Sequence, residues 1–213
     1  MATSSSKELI LGRVRKALSV PTDAPFARSE TEAPLFPPPQ EDLAVAFASE
    51  FSRLQGFFAY CVDESDLVRQ IAGLIAEKGW KSPHCPEQPF RALFSRHGYS
   101  NLFEADTDVV ACDVALTGCE VLVARTGSIV LSAAQPDGRT TSVYTPVHIC
   151  IAFTSQLVYD IHDALSRLRQ RYKGGLPSLI TFATGPSRTA DIEKTLVVGV
   201  HGPGQVYCFL MED

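Results

Sequence analysis

Residues 147–153 read Val-His-Ile-Cys-Ile-Ala-Phe, a strand too apolar for an exposed sheet edge. A sheet that holds it has to be covered on both faces, and the flanking sequence supplies the cover. Asp42 caps a helix that places Leu43, Phe47, Phe51 and Leu54 on one side; Gly56 ends it, and a strand follows over 57–62. Ser65 caps a second helix with Leu67, Ile71, Leu74 and Ile75 inward, closed by Gly79. Strands over 128–133 and 140–144 flank Asp137-Gly138, a dipeptide favoured in tight hairpin turns. Asp160 caps a helix carrying Ile161, Ala164, Leu165 and Leu168 to the core, and Gly174-Gly175 and Pro177 stop it. The cations at its end, Arg167, Arg169, Arg171 and Lys173, complement the helix dipole and read as a solvated face. Two further strands fall at 179–183 and 206–210, whereas Pro83, Pro86 and Pro89 interrupt every pattern over 80–108. Strands alternating with helices predict an α/β sheet with helices on both faces.

Residues 1–40 have a different character. Ser5 and Glu8 form a capping-box pattern, with Ile10, Val14, Ala17 and Leu18 at helical spacing behind it. Pro21, Pro25, Pro34, Pro37, Pro38 and Pro39 then make an extended linker. The division expected is a leader helix and linker over 1–40 and one α/β domain over 41–213. At 45% hydrophobic and 20% charged, 213 residues suffice for a core without disulfide or metal. The net charge of -5 argues against nonspecific nucleic-acid binding. No apolar run approaches the roughly 20 residues of a membrane span, and no signal-peptide pattern opens the chain. Together these features predict a cytoplasmic protein.

Cys61, Cys85, Cys112, Cys119, Cys150 and Cys208 are scattered, with no Cys-x-x-Cys pair. They read as small buried hydrophobes, Cys85 and Cys119 being the two beside polar or turn residues, and no iron–sulfur cluster is expected. His84, His97 and His162 read as surface or loop residues; no metal-ligand spacing appears among the histidines, so no metal is expected.

Three segments can carry chemistry. Residues 184–193, Thr-Gly-Pro-Ser-Arg-Thr-Ala-Asp-Ile-Glu, follow what reads as a buried strand and lead into a short helix. Gly185 permits a tight turn, and Ser187 or Thr189 can cap the next helix. Free amides there, with Arg188, suit a carboxylate or phosphate; the alternative is a turn in which Arg188 pairs with Asp191 or Glu193. Residues 199–204, Gly-Val-His-Gly-Pro-Gly, hold His201 in a constrained loop, where it can titrate near neutral pH or serve the turn itself. Thr126, Gly127 and Ser128, after Arg125, form a turn that either lines a pocket or enters a strand.

These segments, in order with Leu116-Thr117-Gly118-Cys119 and Pro146-Val147-His148-Ile149, resemble the lactate utilization protein C family, also called the LUD domain. The resemblance is good from about Ala111 to the C-terminus and looser from Met1. It implies a three-layer α/β/α sheet like that of ribose-5-phosphate isomerase, glucosamine-6-phosphate deaminase and the coenzyme A transferases. It also implies an accessory component of a three-protein system oxidising L-lactate to pyruvate, whose two iron–sulfur partner proteins carry the clusters. On that reading Thr126, Gly127, Ser128, Gly185, Ser187, Arg188, Thr189, Asp191 and His201 line a cleft for a small anion or a partner. The alternative is a stand-alone enzyme on a coenzyme A transferase-like or sugar-phosphate isomerase-like scaffold, with Asp191, Glu193 or His201 as base. The family often carries an acidic residue where Arg125 stands. Arginine cannot replace a carboxylate nucleophile, and if it faces the same pocket it adds a cation beside Arg188, which favours anion binding over acyl transfer.

Overall fold

The computed structural model describes residues 6–19, 36–37, 39–103, 108–189 and 197–213. The chain divides into two units, Met1–Pro38 and Pro39–Asp213. In the first, helix α1 (Ser6–Leu18) buries none of its residues, and its expected cap, Ser5, lies outside the described residues.

The second unit runs α2 (Leu43–Arg53), β1 (Phe57–Cys61), α3 (Glu64–Lys78), β2 (Pro83–His84), α4 (Gln88–Arg96), β3 (Val114–Thr117), β4 (Val121–Val123) and β5 (Ser128–Ser132). It continues with α5 (Thr141–Tyr144), β6 (Val147–Phe153), β7 (Leu157–Val158), α6 (Ile161–Arg171), β8 (Ile180–Ala183), β9 (Arg188–Thr189), β10 (Val197–Val198) and β11 (Gln205–Met211). The apolar strand β6 is the middle strand of a five-stranded sheet ordered β1-β11-β6-β3-β2, parallel throughout. The fold class is therefore as expected, a mixed α/β architecture around a parallel sheet.

Side-chain alternation assigns the layers. Val147, Ile149 and Ile151 of β6, with Tyr207, Phe209 and Met211 of β11, face α3 and α4. Cys150, Ala152, Cys208 and Leu210 face the other way, onto Phe47 and Phe51 of α2 and onto Leu122, Ile129 and Leu131 of β4 and β5. Those two strands belong to a second sheet, β7-β4-β5-β8, whose far side (Val121, Val123, Val130) packs on Ala164 and Leu168 of α6. The second sheet lies between the parallel sheet and α6, a layer not anticipated from the alternation of strands and helices.

Local signals held where a side chain meets its own helix. Asp42 accepts the Ala44 amide at 2.8 Å, Asp160 and Asp163 form a capping box on α6, and Gly79 closes α3 at φ +69°. The cap of α3 is Asp63 rather than Ser65, its carboxylate accepting the Asp66 amide at 2.7 Å. The expected hairpin at Asp137-Gly138 does not form. β5 pairs antiparallel with β4 through residues 124–127, and the stretch expected as its partner strand contains the helical turn α5. A turn dipeptide reports a reversal of the chain, not which strand returns. Pro89 opens α4 instead of breaking it, since a first-turn residue needs no intrahelical amide bond.

Candidate functional site

Three of the sequence-derived site residues, Gly127, Gly185 and Arg188, meet at the C-terminal turn of α2. Gly127 sits at φ +59°, and a Cβ there would lie 2.6 Å from the Phe51 backbone nitrogen. Gly185, at φ +82°, faces the same turn, its would-be Cβ 2.9 Å from the Leu54 carbonyl oxygen. Arg188 donates from one guanidinium nitrogen to that Leu54 carbonyl, at 2.6 Å, and to Gln55 Oε1, at 3.0 Å. Gln55 itself adopts φ +68°, so the chain leaving α2 is held in the left-handed region beneath an arginine. Beside it runs a line of hydroxyls: Thr126 Oγ1 to Ser128 Oγ at 2.7 Å, and Ser128 Oγ to Thr184 Oγ1 at 2.8 Å.

Backbone bonds tie the second half of the constellation together. The Ser187 amide donates to Pro203, the Gly199 amide to Ser187 and the Gly204 amide to Pro146, each at 2.9 Å. Buried Gly202 lies against Ser187, with 3.2 Å between its would-be Cβ and the Ser187 Cβ. The loops of 184–189 and 199–204 thus meet at the amino ends of β6 and β11. β8, which precedes them, is a half-buried edge strand of the second sheet, not a buried strand of the parallel one, so the crevice at parallel strand carboxyl ends is not where this motif lies. Thr189 belongs with Arg188 to β9, paired antiparallel with β10. His201 is exposed at the tip. Asp191 and Glu193, and the short helix expected there, lie outside the described residues.

Arg125 does not join Arg188. Its Nε and a terminal nitrogen reach Asp160 Oδ1 at 3.2 and 2.7 Å, bracing the cap of α6. Burial alone would raise the Asp160 carboxyl, but the Arg125 and Ile161 donors outweigh it and hold it below the usual carboxylate range.

A polar cluster that draws on the segments 116–119 and 146–149 lies next to these loops. His148 is 1% exposed, and its Nε2 bonds Thr117 Oγ1 at 2.8 Å. Burial pushes its pKa down to about 4, so the ring is neutral at physiological pH. With Gln135, Gly138, Thr141 and Ser142 it lines a cavity of about 10 Å³, water-sized and too small for an organic acid. The buried Thr141 Oγ1 has no hydrogen-bond partner among the described residues. Register places His84, Ala115 and His148 side by side, and His84, expected at the surface, is buried and bonds Asp137 Oδ2 at 3.1 Å. Thr117, Asp137 and His148 each lie in a segment noted from the sequence, but no spacing rule links positions 84, 117, 137, 141 and 148, so their convergence could not be read from it.

Tertiary packing also collects thiols. All six cysteines are buried, and Cys119, Cys150 and Cys208 share one core cluster beneath α2, with Cys119 and Cys208 both beside Cys150. The bond to Cys150 and burial raise the Cys119 thiol well above its ordinary value, and burial raises Cys85 to about 12. Neither has the depressed pKa of a nucleophilic cysteine. Buried Glu120 accepts Ser132 and the Tyr172 phenol, each at 2.6 Å, and pairs with Arg171 at 3.0 Å, while Glu87, raised by burial, accepts the Gly118 amide at 2.6 Å. Among the described residues, no group of three or more His, Cys, Asp or Glu side chains could hold a metal ion, and no helix is long and apolar enough to cross a membrane.

The architecture is shared with a solved protein. A DUF162 family protein from Deinococcus radiodurans superposes with a TM-score of 0.59 at 18% identity, over 82% of this chain and 99% of that one. The LUD domain model matches residues 46–211, and the chain belongs to that family. An uncharacterized protein of Neisseria meningitidis serogroup B is 28% identical over 220 residues, 93% of this chain and 90% of its own. Lactate utilization protein C of Bacillus subtilis is 34% identical over 138 residues, 64% of this chain and 55% of that protein. The Shouchella clausii protein of the same name is 39% identical over 102 residues, 47% of this chain and 44% of that one. The match thus spans about half of each of these two relatives.

Proposed function

We propose that this protein is an accessory component of a lactate utilization system, acting with iron–sulfur partner proteins that carry the electrons. The observation behind this reading is the LUD family match over 46–211, together with relatives named lactate utilization protein C. The working surface is the rim formed by 184–189 and 199–204, where Ser187, Arg188, Thr189 and exposed His201 receive a small carboxylate or phosphate or a partner's acidic group. Thr126, Gly127, Ser128 and Gly185 set that rim on the end of α2. Its tie to Leu54 and Gln55 fixes the Arg188 guanidinium in place, which lowers the entropic cost of using it.

The test is growth on L-lactate as sole carbon source of a strain lacking this gene and any second copy. Growth should fail and return with the wild-type gene but not with Arg188→Ala. Rescue by both genes would leave the process in place and reduce Arg188 to a helix-end donor. Normal growth of the deletion strain would overturn the process.

A further inference from the structure

The terminal strand β1 has no partner on its outer side among the described residues, and it carries none of the protection usual at an edge. From Gly56 to Val62 there is no charge and no proline. Phe57, Tyr60 and Val62 are 51%, 45% and 70% exposed, and Val45 on the adjoining helix is 55% exposed. An open groove of about 490 Å³ lies between β1 and α3, lined by Phe57, Ala59, Arg69, Gly73 and Glu77 among others. A second, of about 530 Å³ and almost wholly apolar, lies between β1 and α2, lined by Ala44, Val45, Ala48, Phe58 and Tyr60. Strand and both flanking helices therefore present one face three layers thick, apolar along β1 and toward α2, with Arg69 and Glu77 as the charges on the α3 side. A contiguous apolar face of this kind marks an interaction surface.

The pattern on that face is self-complementary. Ala59 is the midpoint of β1, and a two-fold axis through it would pair β1 antiparallel with its copy, Phe57 opposite Cys61 and Phe58 opposite Tyr60. The same axis would bring α3 alongside its copy with the direction reversed. Gly73, in the middle of α3, lies in the same groove as Ala59, and nothing stands within 4 Å of where its Cβ would be. A glycine in a helix interior is destabilising relative to alanine, which close approach of a second helix would offset. Arg69 stands four residues before Gly73 and Glu77 four after, so each arginine would meet the opposite copy's glutamate. Within one chain Arg69 pairs with Asp66, and among the described residues Glu77 forms an ion pair with its neighbour Lys78 alone, at 3.7 Å.

We propose that β1, α2 and α3 form the face through which two copies of this chain assemble, edge strand to edge strand, into a continuous ten-stranded parallel-and-antiparallel sheet. The test is sedimentation velocity on the full chain. Wild type should sediment at twice the 23.2 kDa chain mass. Gly73→Arg, whose Cβ meets nothing within 4 Å in its own chain, should sediment as the single chain with an unchanged circular dichroism spectrum. Arg69→Glu should also dissociate, and the double variant R69E/E77R should recover the dimer. A monomeric wild type overturns the proposal. If hydrogen exchange then finds the β1 amides protected, the edge belongs to another segment of the same chain. A dimer that both single variants leave intact overturns it as well, because assembly then uses another face.

Discussion

The glycine-rich rim and the His148 cluster are adjacent regions, and they carry opposite kinds of information. At the rim the unusual composition records proximity. Gly127 and Gly185 are glycines because the backbone of α2 lies where a side chain would be, at left-handed φ, and Arg188 is committed to the carbonyl at the helix end. At the cluster nothing in the composition is unusual. A histidine inside an apolar strand, a threonine ending another and a threonine in a short helix become one polar group only after folding. Odd motifs locate close backbones, and chemistry can sit beside them in unremarkable sequence.

The comparison can be broken at either region. The largest effect is expected at Gly127: Gly127→Val combines a strained φ with a backbone collision and should cost about 3 kcal/mol or more, lowering the melting point by about 10 °C. An unchanged melting point would mean that α2 can be displaced freely and that the rim is not anchored on it.

Next comes the pH dependence of the cluster. His148 is held neutral in the fold, to about pH 4, whereas the unfolded chain protonates it near its usual value of about 6.5. Between those values the unfolded state binds the extra proton, so stability falls as pH drops from about 6.5 to about 4. The difference is on the order of 3 kcal/mol. Urea unfolding near pH 7 and near pH 4.5 should show this loss in the wild type and a smaller one in His148→Gln. Equal slopes would mean that the ring is not held neutral by burial.

Smaller effects separate the two arginines. Arg125→Ala should cost about 1 kcal/mol, because its bonds reach a half-buried cap. It should also narrow acid stability: the Asp160 carboxyl is held low by Arg125, so its contribution is present above the ordinary carboxylate pKa and is lost as pH falls through the lowered one. Comparing the acid limb of the two melting curves checks this. Arg188→Ala should cost the least, about 0.5 to 1 kcal/mol measured by thermal melting, since Arg188 is solvent-exposed. A loss of lactate-dependent growth with so small a loss of stability would separate a binding role from a capping one.

The sequence by itself determined the local elements and the family. Asp42, Asp160 and Gly79 act within their own helices, and a strand as apolar as β6 has no stable place except between covered faces. Capping and side-chain periodicity depend on neighbours a few residues away, which is why they could be read directly. Tertiary structure decided what stands beside what. It paired β5 with β4 instead of with residues 140–144, inserted a second sheet under α6, turned Arg125 to Asp160, and gathered Cys119, Cys150 and Cys208 from three separate stretches. Apart from the β4–β5 pairing, whose partners are close in sequence, those outcomes depend on contacts between residues about 30 to 60 positions apart, for which no periodicity in the chain exists to be read.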